Sequence, residues 1–309
     1  MLSSNIGNLD IKTCIYNASG PLCTDYTELK TLMDNSYTGI VLTKSCTLDM
    51  KIGNDLPRYY EIYNASINST GLANLGYKKY LNFADKLTEK PYFMSVAGLT
   101  LEDNLKMISD INDNNNVQGI ELNLSCPNVI GKPQIGYDFE TVENILNKIF
   151  EKYEINNQLF GVKLPPYFDR IHLENISDIL KEYSKIDFIT CINSIGNGLV
   201  INDDVVAIKP NEGRGGIGGG AIKPIGLANV QQFYKLLGNK IDIIGCGGII
   251  DGQDAFEYIL CGATAIQIGT QYIKEGERCF KRVSWELEKI MMSKGCTKIS
   301  DFKGRLRYL

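Results

Sequence analysis

At 309 residues, 44% of them hydrophobic, the chain has apolar material for one large core, and a single α/β barrel fits that length as well as two average domains do. A formal net charge of −4, from 32 basic and 36 acidic side chains, with no basic block, argues against nucleic acid or an anionic membrane as partner. No apolar run approaches the ~18 residues of a transmembrane span, the N-terminus lacks the basic-then-apolar pattern of a signal peptide, and nine scattered cysteines without a CxxC pair speak for a reducing, cytoplasmic setting rather than a disulfide framework or zinc site.

Apolar runs rich in β-branched residues then recur along the chain. In order they are CIYNASG (14–20), GIVLTKSC (39–46), YFMSVAG (92–98), GIELNLSC (119–126), FGVKLPP (160–166), FITCINS (188–194), DIIGCGGI (242–249) and AIQIGT (265–270). Their nearly continuous apolar character suits parallel strands covered on both faces. Segments of 3.6-residue periodicity follow each one, among them DYTELKTLMDN, LEDNLKMISDIND and FETVENILNKIFEKY, with Gly or Asn commonly closing the helix. Eight alternations predict a single-domain (β/α)8 TIM barrel over residues 1–309, with extra loops over the C-terminal face. A doubly wound open sheet is disfavoured because no GxGxxG follows the first strand.

In such a barrel the chemistry lies at the C-terminal ends of the strands. Lys44 and Lys163 each sit in an apolar strand, where an ammonium is costly to bury unless an anion faces it. Two on one rim point to an anionic ligand. The glycines of GCGGI (245–249) and of Gly269-Thr270 stand where these barrels hold phosphate, and GRGGIGGG (213–220) offers either a second backbone cradle or a flexible loop. Cys126 lies just past a strand end beside Pro127, as a reactive thiol would. His172, the only histidine, opens a helical stretch and reads as a surface residue, so no Ser-His-Asp arrangement can be assembled. The N-x-S/T triplets read as chance.

These residues resemble the dihydroorotate dehydrogenases, in particular the soluble, fumarate-linked class 1A. NASGPLC, LTKSCT, ASINSTGLANLGY, ELNLSCPNVIGKPQ, GVKLPPYFD, TCINSIGNGLVI, GGIGGGAIKP, GCGGI and IQIGT occur in the family's order over nearly the whole chain. The resemblance implies one FMN per subunit and a cytoplasmic homodimer in de novo pyrimidine biosynthesis. The FMN phosphate would rest on Gly219, Gly247, Gly248, Gly269 and Thr270. Lys163 would face the pyrimidine edge of the flavin, and Ser19, Gly20, Lys44, Ser45, Asn123 and Ile192 would complete the flavin pocket.

Dihydroorotate would be held by Lys44 and by Asn68, Ser69, Thr70, Gly71 and Leu72 on one side, and by Asn123, Asn128, Asn193 and Ser194 on the other. The resemblance makes Cys126 the base that takes the C5 proton while C6 delivers hydride to the flavin. Fumarate would then be reduced to succinate in the same pocket, in ping-pong fashion, under a lid formed by 129–137. Class 2 enzymes use serine at the position of Cys126 and carry an N-terminal extension not seen here. The alternatives are a class 1B catalytic subunit feeding an FAD and iron–sulfur partner and NAD, and a non-catalytic barrel that senses a phosphate ligand. Thr70, where trypanosomatid members have methionine, is a departure of modest expected consequence.

Overall fold

All eight apolar runs form strands of one parallel sheet: β1 (Ile15–Asn17), β2 (Val41–Leu42), β3 (Tyr92–Val96), β4 (Gly119–Asn123), β5 (Leu159–Lys163), β6 (Phe188–Cys191), β7 (Asp242–Cys246) and β8 (Ala265–Ile268). The structure is a computed structural model that describes residues 1–128, 131, 133–155 and 157–309. Neighbours run in the order β1-β8-β7-β6-β5-β4-β3-β2, the sequential ring of a (β/α)8 barrel.

The seam between β1 and β2 closes through a side chain. Asn17, fully buried, donates from Nδ2 to the Leu42 carbonyl at 2.6 Å and accepts from the Leu42 amide at 3.0 Å. Its carboxamide thus does what a backbone peptide does elsewhere in the ladder, while Gly39 N donates to Ile15 O at 2.9 Å. Satisfying both backbone groups of Leu42 this way avoids two buried orphans.

Helices α1 (Tyr26–Asp34), α2 (Tyr77–Ala84), α3 (Leu101–Asn112), α4 (Phe139–Lys152), α5 (Arg170–Lys181), α6 (Lys223–Leu237), α7 (Gly252–Leu260) and α8 (Arg278–Ser293) follow the strands. Asp25, Thr100 and Asp251 begin theirs with full capping boxes, and Asp138 and Asp169 cap α4 and α5 through a side-chain oxygen. Each such cap stabilises by about 1 kcal/mol. After β8 the chain makes a short helix, Thr270–Glu275, breaks at Gly276 (φ 66°) and only then enters α8.

The barrel interior is filled in layers. Phe93 of β3 and Phe188 of β6 meet across it with ring centroids 5.8 Å apart. The neighbouring strands supply glycines at that level: a Cβ on Gly119 would lie 2.6 Å from the Phe93 ring, and one on Gly161 2.2 Å from that of Phe188. Large beside small fills the floor at interior density. Two residues further along the strands the inward positions turn polar: Ser95, Glu121, Lys163 and Thr190, all buried.

Over the C-terminal mouth lies a four-stranded antiparallel cap that the periodicity did not announce. Strands 59–62, 65–68, 195–199 and 214–218 pair in the order 195–199, 214–218, 65–68, 59–62. GRGGIGGG is therefore neither wholly cradle nor loop: Arg214–Gly218 is a cap strand, with Gly216 opposite Asn68, and Gly219 begins the turn beyond it. Glycine is needed there, since a Cβ on Gly215 would stand 2.5 Å from the Asn68 carbonyl and one on Gly216 2.3 Å from Ser194 Oγ.

Candidate active site

Between the strand ends and this cap lies a cavity enclosing roughly 1260 Å³ of empty space, its open mouth included. Cys126, Lys44, Lys163, Ser19, Gly20, Ser45 and Asn123 line it, as do Asn68, Thr70, Leu72, Asn128, Ile192, Asn193, Ser194, Gly219, Gly247, Gly248, Gly269 and Thr270. Ser69 and Gly71 do not. The strand ends at Asn68 and the chain turns at Gly71 (φ 67°) and Leu72 (φ 58°), which sets Ser69 and Gly71 against Asn54. Asn54 Nδ2 donates to the Ser69 carbonyl at 3.0 Å and to its Oγ at 3.2 Å, and a Cβ on Gly71 would collide with the Asn54 carboxamide at 2.3 Å.

The carboxamides at the mouth are pre-oriented by hydroxyls. Asn123 Nδ2 donates to Ser45 Oγ at 3.0 Å, and Ser45 Oγ stands 2.9 Å from both Ser19 Oγ and Ser95 Oγ. Asn123 Oδ1 accepts from the Ser125 amide and hydroxyl, and Ser125 Oγ accepts from Asn193 Nδ2 at 2.9 Å. On the cap side Asn128 Nδ2 donates to Asn68 Oδ1 at 2.8 Å, and Asn128 Oδ1 is buried without a partner among the described residues. An oriented acceptor with nothing to accept from is suited to a ligand N–H or O–H.

The two lysines differ. Lys163, 5% exposed, donates to Gln267 Oε1 at 2.7 Å. Lys44, also buried, has no hydrogen bond or ion pair of its ammonium among the described residues, so its charge is available to an anion in the cavity. Cys126 lies near it. Burial pushes the Cys126 thiol up from its ordinary value, while the Asn128 backbone amide and the Lys44 ammonium pull the other way. Cys246, buried at the end of β7, is likewise pushed up by burial, with Lys163 opposing.

At the far end of the cavity the glycines form a cradle. Gly219 (φ 86°), Gly247 (φ 122°) and Gly248 (φ 73°) all take backbone conformations that side chains disfavour. A Cβ on Gly248 would lie 2.9 Å from the Gly219 carbonyl, so the two turns abut. Tyr258 OH donates to the Gly247 carbonyl at 2.5 Å from behind. Thr270 Oγ1 lies 3.4 Å from Ser66 Oγ across the opening.

Several lining residues have no counterpart in the sequence reading: Glu121, Gln267, Tyr59, Asn64, Ser66 and Lys274. For Glu121 and Gln267 a signal existed, a polar residue inside an otherwise apolar strand. For the others, which arrive with the cap and the short helix after β8, none did. Of the expected lid 129–137, Val129, Ile130 and Lys132 lie outside the described residues. Its end is pinned: Gly136 N donates to Leu124 O at 2.7 Å, and Tyr137 OH to Pro166 O at 2.8 Å. His172 is on the surface, its ring paired with the Asp169 carboxylate.

The sequence profile of the family described as dihydroorotate dehydrogenase matches residues 1–291. The chain belongs to the dihydroorotate dehydrogenase family. A Streptococcus agalactiae protein provisionally named dihydroorotate dehydrogenase A (fumarate) is 47% identical, over 100% of this chain and 99% of its own. A Streptococcus pyogenes protein of the same name is 46% identical over 99% and 98%. Among solved structures, ligand-free DHODH from Eimeria tenella superposes with a TM-score of 0.84 at 21% identity, covering 98% of this chain and 91% of that one. Its complex with ferulenol gives 0.82, covering 98% and 88%. At that identity the likeness concerns the fold, and it agrees with the barrel described above. No helix among the described residues is long and apolar enough to cross a membrane.

Proposed function

We propose that the protein is a fumarate-linked dihydroorotate dehydrogenase that binds FMN in the cavity, oxidises (S)-dihydroorotate to orotate and reduces fumarate to succinate. The observation that carries this reading is the convergence, in one cavity, of a thiol, an unpaired ammonium, oriented carboxamides, a buried ammonium and a glycine cradle. The names of the streptococcal relatives support the choice of acceptor.

The cavity fits a flavin mononucleotide on its own terms. The Gly219 and Gly248 turns abut at positive φ, a close backbone packing that a Cβ on either would prevent, and Gly247, Gly269 and the Thr270 hydroxyl line the cavity beside them, which suits a phosphate held by backbone amides. Lys163 would hold the pyrimidine edge, and Ser19, Gly20, Ser45 and Ile192 would line the ring. When bound, FMN would supply the hydride acceptor for one substrate and the hydride donor for the next.

The chain's own residues would do the rest. Lys44 would pair with the substrate carboxylate. The Asn68–Asn128 and Asn123–Asn193 pairs would meet the imide edges of the ring with both donors and acceptors, and Thr70 and Leu72 would close one side. Cys126, as thiolate, would take the C5 proton and, as thiol, return a proton to fumarate. Lys44 favours the thiolate in the first role, and burial favours the thiol in the second. Both substrates are flat carboxylates, so one set of contacts serves both.

A cytoplasmic homodimer completes the reading. Leu199, Ile201, Val205 and Val206, between 41% and 67% exposed, make an apolar surface on and beside the 201–206 hairpin that suits a self-association face. The test is spectroscopic: under anaerobic conditions dihydroorotate should bleach the bound flavin, and fumarate should restore its colour with no other protein present. A flavin that dihydroorotate bleaches but fumarate leaves reduced would overturn the acceptor assignment.

A further inference from the structure

Beneath the cavity lies a buried carboxylate that the mechanism above does not use. Glu121, in β4, is 1% exposed and lines the floor. Its Oε2 accepts from Thr190 Oγ1 at 2.7 Å and from Gln267 Nε2 at 2.7 Å, whereas its Oε1 is buried with no partner among the described residues. Gln267 is the residue whose Oε1 accepts from the Lys163 ammonium at 2.7 Å.

An ammonium only donates and a carboxylate only accepts, so one orientation of the Gln267 carboxamide satisfies both. The amide is clamped between opposite charges from two other strands, β5 and β4. A carboxylate placed there for packing alone would be a poor choice, because burying the charge costs more than an apolar residue of like volume and one oxygen goes unsatisfied.

We propose that Glu121 is a positioning residue for the redox step: through Gln267 it fixes the Lys163 ammonium and offsets part of its charge, which sets how strongly the site favours reduced flavin. The inference rests on the reading of the cavity as an FMN site. Reduced flavin carries negative charge that Lys163 stabilises, and a nearby carboxylate opposes it. Glu121 therefore holds the flavin potential below the value that Lys163 alone would give.

The test is potentiometric titration of the FMN-loaded protein against a reference dye. Glu121→Gln removes the charge and keeps the shape. It should raise the midpoint so that the ratio of reduced to oxidised flavin at a given potential grows about tenfold, about 30 mV for a two-electron couple. Glu121→Asp, which keeps the charge, should fall between that variant and the wild type. Should Glu121→Gln not fold, Glu121→Met removes the charge with a volume-conserving apolar chain, and the same upward shift is expected.

The direction separates charge balance from a purely structural role. If Glu121 merely held Lys163 in place, its loss would release the ammonium and lower the potential. A midpoint unchanged or lowered in an FMN-loaded, charge-removed variant overturns the proposal. A wild-type protein that takes up no FMN instead defeats the reading of the cavity itself, so the two failures are told apart.

Discussion

The floor of the barrel and its mouth handle polar side chains in opposite ways. On the floor, Lys163, Gln267, Glu121 and Thr190 are joined by hydrogen bonds of 2.7 Å, and Glu121 Oε1 is the one side-chain oxygen of the four without a partner among the described residues. At the mouth, the Lys44 ammonium has no hydrogen bond or ion pair and Asn128 Oδ1 is buried without a partner among the described residues. A network paired in advance costs no reorganisation when charge develops above it, which suits electrostatic tuning of a resident group. Groups left unpaired are what a substrate that enters and leaves must find. The floor, on this account, is built for the cofactor and the mouth for the two substrates.

Mutations break this contrast in different observables. The largest effect belongs to Cys126→Ala, which should slow flavin reduction by dihydroorotate about 10³-fold, within the range of general acid–base catalysis, while FMN content stays at the wild-type level. Next, Lys163→Ala should lower the rate of flavin reduction about 10²-fold and depress the flavin potential, a floor effect that raising substrate concentration does not rescue. Lys44→Ala, at the mouth, should raise KM for both dihydroorotate and fumarate about 10-fold or more, as the loss of a charge-assisted contact worth about 1.5–3 kcal/mol requires, with a smaller change in potential than Lys163→Ala produces.

Gly161→Ala probes the floor without touching its chemistry. The added Cβ meets the Phe188 ring, and the overpacking should cost about 1–3 kcal/mol in a denaturant titration at unchanged KM. The smallest effect is expected at Thr70→Met, on the rim of the cavity, with KM for dihydroorotate altered less than about 3-fold, because the Thr70 backbone, held by the Asn54 amide at 3.1 Å, is unchanged and can still meet the ligand.

The barrel was legible because parallel strands covered on both faces need unbroken apolar runs, and eight of them stand out between amphipathic helices. The cap was not. Ala65–Asn68 and Arg214–Gly218 are polar or glycine-rich, pair across about 150 residues of chain, and owe their register to the close approach that the glycines permit rather than to any alternation.

The site divides along the same line. Cys126, Lys44 and Lys163 declare themselves as reactive or charged groups at strand ends. Ser69 and Gly71, expected beside Asn68 and Thr70, pack against Asn54 instead of lining the cavity. Gln267 and Glu121, 146 positions apart, acquire meaning only once the barrel closes and sets an amide between their strands.

Proton transfer from C5 to the Cys126 sulfur has its sharpest readout in the pH profile of single-turnover flavin reduction by dihydroorotate. Because burial raises the thiol, the wild-type rate should climb with pH and level off only above the ordinary thiol range of about 8.5. Lys44→Ala should move that limb to higher pH, and Cys126→Ser should still be climbing where the wild type is flat. A wild-type profile that is level across this range, or one that Cys126→Ser leaves unaltered, would contradict the account.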